Sequence, residues 1–363
     1  MIKKILLYIL IVFAGININA QTAKYSNEFL SLGVGARALG MSNSAVASVN
    51  DVTSTYWNPS GLLGIEEDLQ IGLMHSEYFA GISKYDYLAG AAKLNEKSAL
   101  GITIIRFGVD DIPNTLDLID KDGNIRYDRI SSFSVADYAF MFSYARKTNI
   151  EGLDVGGNLK IIRRVAGEFA SSWGFGLDAS ALYHKKNFTF GAMFRDITTT
   201  FNAWSFNTST FEEVFNATGN EVPESSIEIT LPKFILGTAY NFKIYKKFAG
   251  MAEFDMDITS DGKRNVLIKS NVFSIDPHIG TEISYNNLIY LRLGVGNFQK
   301  IPQINADDEF SFQPNMGLGI KFKSLSIDYA FTDIGDQSIA LYSHVFSIRY
   351  GINKKTDKST PSE

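Results

Sequence analysis

From residue 69 to residue 352, apolar side chains recur at every second position, a period that admits β-strands and little else. In 325–332, Leu325, Ile327, Tyr329 and Phe331 share one face, while Ser326, Asp328, Ala330 and Thr332 share the other. Trp173, Phe175, Leu177, Ala179, Ala181 and Tyr183 alternate with Gly174, Gly176, Asp178 and Ser180. About fourteen segments follow this rule, near 69–78, 85–93, 98–110, 134–147, 153–165, 171–184, 188–197, 233–242, 248–258, 276–285, 289–298, 312–322, 325–332 and 342–352. Each is close to the ~9–11 residues that a tilted membrane-spanning strand requires. An even count suits a single-chain outer-membrane barrel.

The two faces differ in kind. One is aliphatic and aromatic, and the other carries Gly, Ser, Thr and a charged set that includes Lys160, Arg195, Glu253, Asp255, Arg292, Lys321 and Arg349. A soluble β-sandwich would present its charged face to water. Here the uncharged face implies lipid outside, since a charge there costs about 2–4 kcal/mol at mid-bilayer. Tyr78, Tyr138, Tyr144, Tyr183, Tyr240, Tyr285 and Tyr342 near segment ends suit interfacial girdles. Short polar connections at 95–97, 148–152, 185–187, 243–247, 286–287 and 323–324 alternate with mostly longer ones at 113–133, 198–232, 259–275 and 299–311. Short periplasmic turns and long outer loops produce this asymmetry.

Targeting agrees. Lys3 and Lys4 precede an apolar run at 5–14, and Ala20 precedes Gln21. This is the pattern of a secretory signal peptide over 1–20, too short for a spanning helix. The expected organisation is a signal peptide (1–20), an N-terminal hatch-like segment (21–68), an all-β antiparallel transmembrane barrel (69–352) and a periplasmic tail (353–363). The chain has no cysteine, which excludes disulfides and thiolate sites. A net charge of -5 gives no reason to expect nucleic acid as a partner.

Enzyme signatures fail. His75, His184, His278 and His344 are scattered, with no His-x-x-x-His pair, and no Gly-x-Ser-x-Gly elbow occurs. Gly33-Val34-Gly35 begins like a nucleotide loop but lacks its completion. Asp120-Lys121-Asp122-Gly123-Asn124 looks like a calcium loop, yet its glycine comes too early and no bidentate glutamate follows. The pairs Glu66-Glu67, Asp110-Asp111 and Asp307-Asp308 sit at loop edges with nothing to hold them against a substrate. No catalytic residue, metal site or cofactor is expected. The connection 198–232 is long, and its Phe201, Trp204, Phe206, Phe211 and Phe215 are candidate anchors for a partner, or rings that pack the loop and barrel mouth.

The stretch 32–62 reads LGVGARALGMSNSAVASVNDVTSTYWNPSGL. Its Gly33, Gly35, Ala36, Arg37, Gly40 and Met41, then Asp51, Tyr56, Trp57, Asn58, Pro59, Gly61 and Leu62, resemble the N-terminal signature of the PorV/PorQ family of outer-membrane barrels. That family lies within the wider class of FadL-type barrels. The resemblance implies an outer-membrane component of the Bacteroidota type IX secretion system. It further implies a large translocon barrel and secreted cargo with a C-terminal sorting domain as partners, bound at the outer loops, besides the surrounding lipid. The alternative is a FadL-type transporter of hydrophobic small molecules, whose Asn-Pro-Ala hatch element Asn58-Pro59-Ser60 resembles.

Overall fold

In the computed structural model, the described residues are 26–120, 122–210, 215, 219, 226–301, 309–334 and 342–353. The expected signal peptide, nearly all of the tail, and Phe211 lie outside them. Seventeen strands form one sheet: β1 Leu69–Tyr78, β2 Ser83–Asn95, β3 Ser98–Asn114, β4 Ser131–Lys147, β5 Leu153–Ala166, β6 Ala170–Lys185, β7 Phe188–Arg195, β8 Thr200–Phe206, β9 Ser226–Thr230, β10 Lys233–Tyr245, β11 Phe248–Thr259, β12 Ile268–Lys269, β13 Ser274–Tyr285, β14 Ile289–Ile301, β15 Glu309–Phe322, β16 Leu325–Thr332 and β17 Ser343–Ile352. All pairings are antiparallel, and β1 bonds both β2 and β17, so the sheet closes. Fourteen strands make the full wall (β1–β7, β10, β11 and β13–β17), and they match the fourteen segments read from the period.

The remaining strands refine that reading. β7 ends at Arg195, and after Asp196–Thr199, β8 takes its place beside β6, pairing Phe201 with Phe175. β9 pairs β8, so 198–232 is not a bare loop but carries a hairpin that extends the wall. A positive φ at Asp196 (55°) and Thr199 (56°) marks the break. The inward parity switches across it, from odd positions such as Met193 and Arg195 to even ones such as Thr200 and Asn202, so a period of two ends one run there without showing that the next rejoins the same wall.

Strand tilt can be followed through opposed residues. From Trp173, three residues inside the outer end of β6, the row runs through Arg163, Tyr138, Arg106, Asp86 and His75. It continues through Phe346, Tyr329, Leu318, Leu291, Ile283 and Gly250 to Phe242. Phe242 lies three residues from the inner end of β10. The row therefore descends the whole wall in twelve steps, as tilted barrel strands require.

Most outward positions are apolar: on β15 they are Phe310, Phe312, Pro314, Met316, Leu318, Ile320 and Phe322. Inside, residues 26–68 fill the lumen with short helical turns at Ala36–Leu39, Ser54–Trp57 and Pro59–Gly64. Wall glycines make room for this plug. A Cβ at Gly280 would stand 2.7 Å from Met41 Cβ, one at Gly156 2.7 Å from the Ser60 nitrogen, and one at Gly294 would collide with the Met41 backbone. The plug and the lumen side of β1–β5, including Val34, Leu39, Tyr56, Trp57, Leu62, Tyr85, Tyr87, Ile105 and Met141, form the main core. Gly294→Leu is expected to unseat the plug while the wall still closes. Trypsin should then cleave after Arg37 in the folded barrel, whereas the wild-type plug resists.

Candidate functional site

The plug is built from the motif residues. Gly33 (φ 93°) and Gly35 (φ 82°) take the left-handed conformation that leads the chain into Ala36–Leu39. This directs Arg37 at the wall, where its Nε donates to Glu282 Oε2 at 3.0 Å. Trp57 Nε1 donates to the Val34 carbonyl at 2.8 Å, tying the two halves of the motif together. Asn58 receives the Ser60 amide at 3.2 Å and donates to the carbonyls of Val46 (2.8 Å) and Ala181 (3.2 Å). Pro59 opens the next turn, where its missing N–H costs nothing. Gly40 meets the wall at Gly317, and Gly61 lies against the Val49 carbonyl, so neither tolerates a side chain.

Three buried polar nodes join plug to wall. At the short-turn end, Arg292 donates to Glu282 (2.7 Å) and Asp328 (2.7 Å), Arg349 reaches Asp328 (3.1 Å), and Arg349 also bonds Asp51 of the plug. Arg37, Glu282, Arg292, Asp328, Arg349 and Asp51 thus form one chain of alternating sign. Near the outer mouth, Lys160 pairs with Asp178 at 2.8 Å and with Asp196, and Arg195 stacks on Tyr56 at 4.3 Å while donating to the Leu30 carbonyl at 3.1 Å. On β11, Asp255 accepts the amides of Ala45 (2.9 Å) and Val46 (3.0 Å), and Glu253 those of Ala47 (2.7 Å) and Ser48 (3.2 Å). These carboxylates satisfy a turn of the plug that would otherwise be buried without partners.

Burial works against charge on Asp51. Attraction from Arg349 and Arg37, with hydrogen bonds from Thr53, outweighs it and holds the carboxyl below the ordinary carboxylate range. A depressed folded value means that its contribution is fully present above about pH 4 and is lost as pH falls through the lowered value.

Charged side chains take part in lining two spaces beside the plug. A cavity of about 60 Å³ near the outer mouth is lined by Tyr56, Lys160, Asp178, Arg195 and Asp196. A vestibule of about 640 Å³ at the short-turn end is lined by Arg37, Asp51, Glu66, Glu282, Lys321 and others. Among the described residues no cluster of His, Asp and Glu is arranged to hold a metal ion, and no helix is long and apolar enough to cross a membrane. The arrangement anchors the plug to the wall.

The loop aromatics Phe201, Trp204 and Phe206 lie on both sides of the wall. Phe201 points outward and is 45% exposed. Trp204 and Phe206 stack at 6.3 Å on the lumen side of the rim. The Trp204 indole donates to Glu228 at 3.0 Å, beneath Arg164 at 5.1 Å. Phe215 is half-buried, and Phe211 lies outside the described residues. The sequence listed Arg195, Arg292, Arg349 and their fellows as facing inward but could not show their partners, which lie up to 298 residues away.

The family model described as type IX secretion system protein PorV matches residues 17–258. Among solved structures, the CymD monoaromatic hydrocarbon channel superposes with a TM-score of 0.54 at 15% identity, covering 89% of this chain and 99% of that one. The Pseudomonas putida toluene transporter TodX gives 0.56 at 13% identity, over 88% and 98%. A Pseudomonas aeruginosa FadL homologue gives 0.50 at 12%, over 87% and 97%. These superpositions show a shared fold, the closed FadL-like barrel of the outer membrane, built here with fourteen wall strands. A search of curated protein sequences finds no match.

Arg349→Met is expected to cost about 3 kcal/mol, because it strands the buried Asp51 charge, measured by denaturant unfolding in detergent micelles. In planar bilayers the wild-type barrel should stay closed from pH 7 to about pH 5 and open only below about pH 4.

Proposed function

This chain belongs to the PorV family of type IX secretion system proteins, and from that membership we propose that it is a carrier for secreted cargo. It binds the C-terminal sorting domains of that cargo at its outer rim and links a large translocon barrel to surface attachment. It makes and breaks no covalent bond. The observation that carries this reading is the plugged lumen: Arg37 and Asp51 are locked into the wall by Glu282 and Arg349, and the two cavities described beside the plug carry charged residues in their linings. A transporter of hydrophobic small molecules requires an apolar path through the barrel, which these linings do not favour. With the lumen filled, recognition falls to the rim and its connections.

The hairpin β8–β9 changes which part of 198–232 is a fair target. Cutting within β8 would damage the wall, because β8 pairs β6. The tip between the strands carries Phe211 and Phe215 and can be exchanged without touching either strand.

Affinity purification of the intact protein from detergent-solubilised outer membranes should recover sorting-domain cargo or a large membrane barrel. Recovery of neither, with saturable fatty-acid binding, would favour the transporter. Replacing 207–225 by a Gly-Ser linker should leave the barrel folded and lower cargo recovery by about tenfold or more, the scale of losing an aromatic anchor. Undiminished recovery would move the binding surface elsewhere.

A further inference from the structure

One part of the outer wall breaks the rule that the rest obeys. Away from the rims, the described outward positions of β4–β7, β10, β11 and β13–β16 carry no carboxylate and no lysine. Arg163, one step from Trp173, lies against that ring at 4.9 Å, as suits an interfacial girdle. On β1–β3, by contrast, His75, Asp86 and Arg106 point outward three or more residues from the strand ends, and Glu77 and Lys84 follow them toward the rim. They are partly exposed and form a linked set. His75 meets Asp86 at 2.7 Å, Arg106 lies 3.9 Å from Asp86, and Arg106 meets Asp110, which sits where β3 shifts register between Val109 and Ile112, at 2.9 Å.

The row of opposed residues gives the depth of this patch. Arg106, Asp86 and His75 lie three, four and five steps along the row from Trp173. At a strand spacing of about 4.8 Å and a tilt of about 40°, each step descends about 3 Å. Asp86 and His75 are therefore about 12–15 Å below the Trp173 ring, near the middle of an apolar band about 25 Å tall. His75 and Asp86 are too short to reach the headgroups from there, unlike a lysine or arginine that can snorkel. Acyl chains are a poor neighbour for such groups.

We propose that the outward face of β1–β3 is a lateral docking surface for a second, different integral outer-membrane protein, whose own wall presents polar and charged side chains. The depth excludes a water-soluble partner and lipid headgroups. The order of charges disfavours a second copy of this chain. A two-fold axis through Asp86 would set that carboxylate against itself and Arg106 against His75. The same face holds a groove of about 380 Å³, in which Leu73, Leu88, Ile104 and Phe346 surround the polar row. This gives a partner side chain both an apolar wall and a charged contact. The proposal rests on the reading of the chain as part of a secretion assembly and adds which side of the barrel faces its neighbour.

The test places a benzophenone photocrosslinker at Leu88, or at Phe254 on β11, in the full-length protein in native outer membranes. At Leu88 we expect one adduct with a larger membrane protein, at about tenfold or more the yield at Phe254. The triple variant H75L/D86L/R106L should still insert and show heat-modifiable migration, yet lose interaction when the probe is at Leu88. Equal labelling of lipid at both positions, or an adduct of twice the chain's own mass, would overturn the proposal. If cargo co-purifies but Leu88 gives no adduct, the docking surface fails and the carrier reading stands. If the adduct forms but no cargo is ever recovered, the docking surface stands and the carrier reading fails.

Discussion

Hydrocarbon offers no hydrogen-bond partner to a peptide group, and every other feature of this protein follows from that constraint. A sheet in a bilayer must close on itself, because each open edge would leave a column of unpaired N–H and C=O groups. Here β1 meets that demand by pairing β2 on one side and β17 on the other. Closure with fourteen tilted strands encloses a lumen wider than wall side chains alone can fill. The chain fills it with its own residues 26–68, and small wall positions such as Gly156, Gly280 and Gly294 receive them.

Filling the lumen with protein turns the usual polarity inside out. Apart from the row on β1–β3, the outer surface is apolar away from the rims, and most charged wall residues lie within, where each needs a partner. The alternating chain from Arg37 to Asp51 satisfies six of them at the short-turn end, and Lys160 with Asp178 and Asp196 does the same near the outer mouth. These contacts contribute fit as much as stability, since a buried ion pair roughly offsets its own desolvation. Their consequence is positional: they fix the plug in one place, which leaves the rim and the lateral wall as the surfaces available for recognition.

Much of this was legible in the sequence. The period of two located all fourteen wall strands, because a wall with lipid on one side and protein on the other imposes strict alternation. The inward polar set was legible for the same reason. The break at Asp196–Thr199 was not, since a switch of inward parity reads the same whether the chain leaves the wall or rejoins it beside β6. The ion network was not, since Arg37 and Glu282 are brought together only by closure of the whole barrel. The motif at 32–62 was visible as a family signature, and the structure supplies its physics: two left-handed glycines, a cation for the wall, an indole tie and an asparagine cap. The charged outward row on β1–β3 was present in the strand pattern, but its depth emerges only from the register.

On the proposed reading, a plugged barrel works through the surfaces it presents to other proteins. The most direct measurement is equilibrium binding to the purified barrel in lipid nanodiscs, with an isolated C-terminal sorting domain in one arm and a long-chain fatty acid in the other. The account predicts saturable binding of the sorting domain and none of the fatty acid. Saturable fatty-acid binding with no affinity for the sorting domain would contradict it.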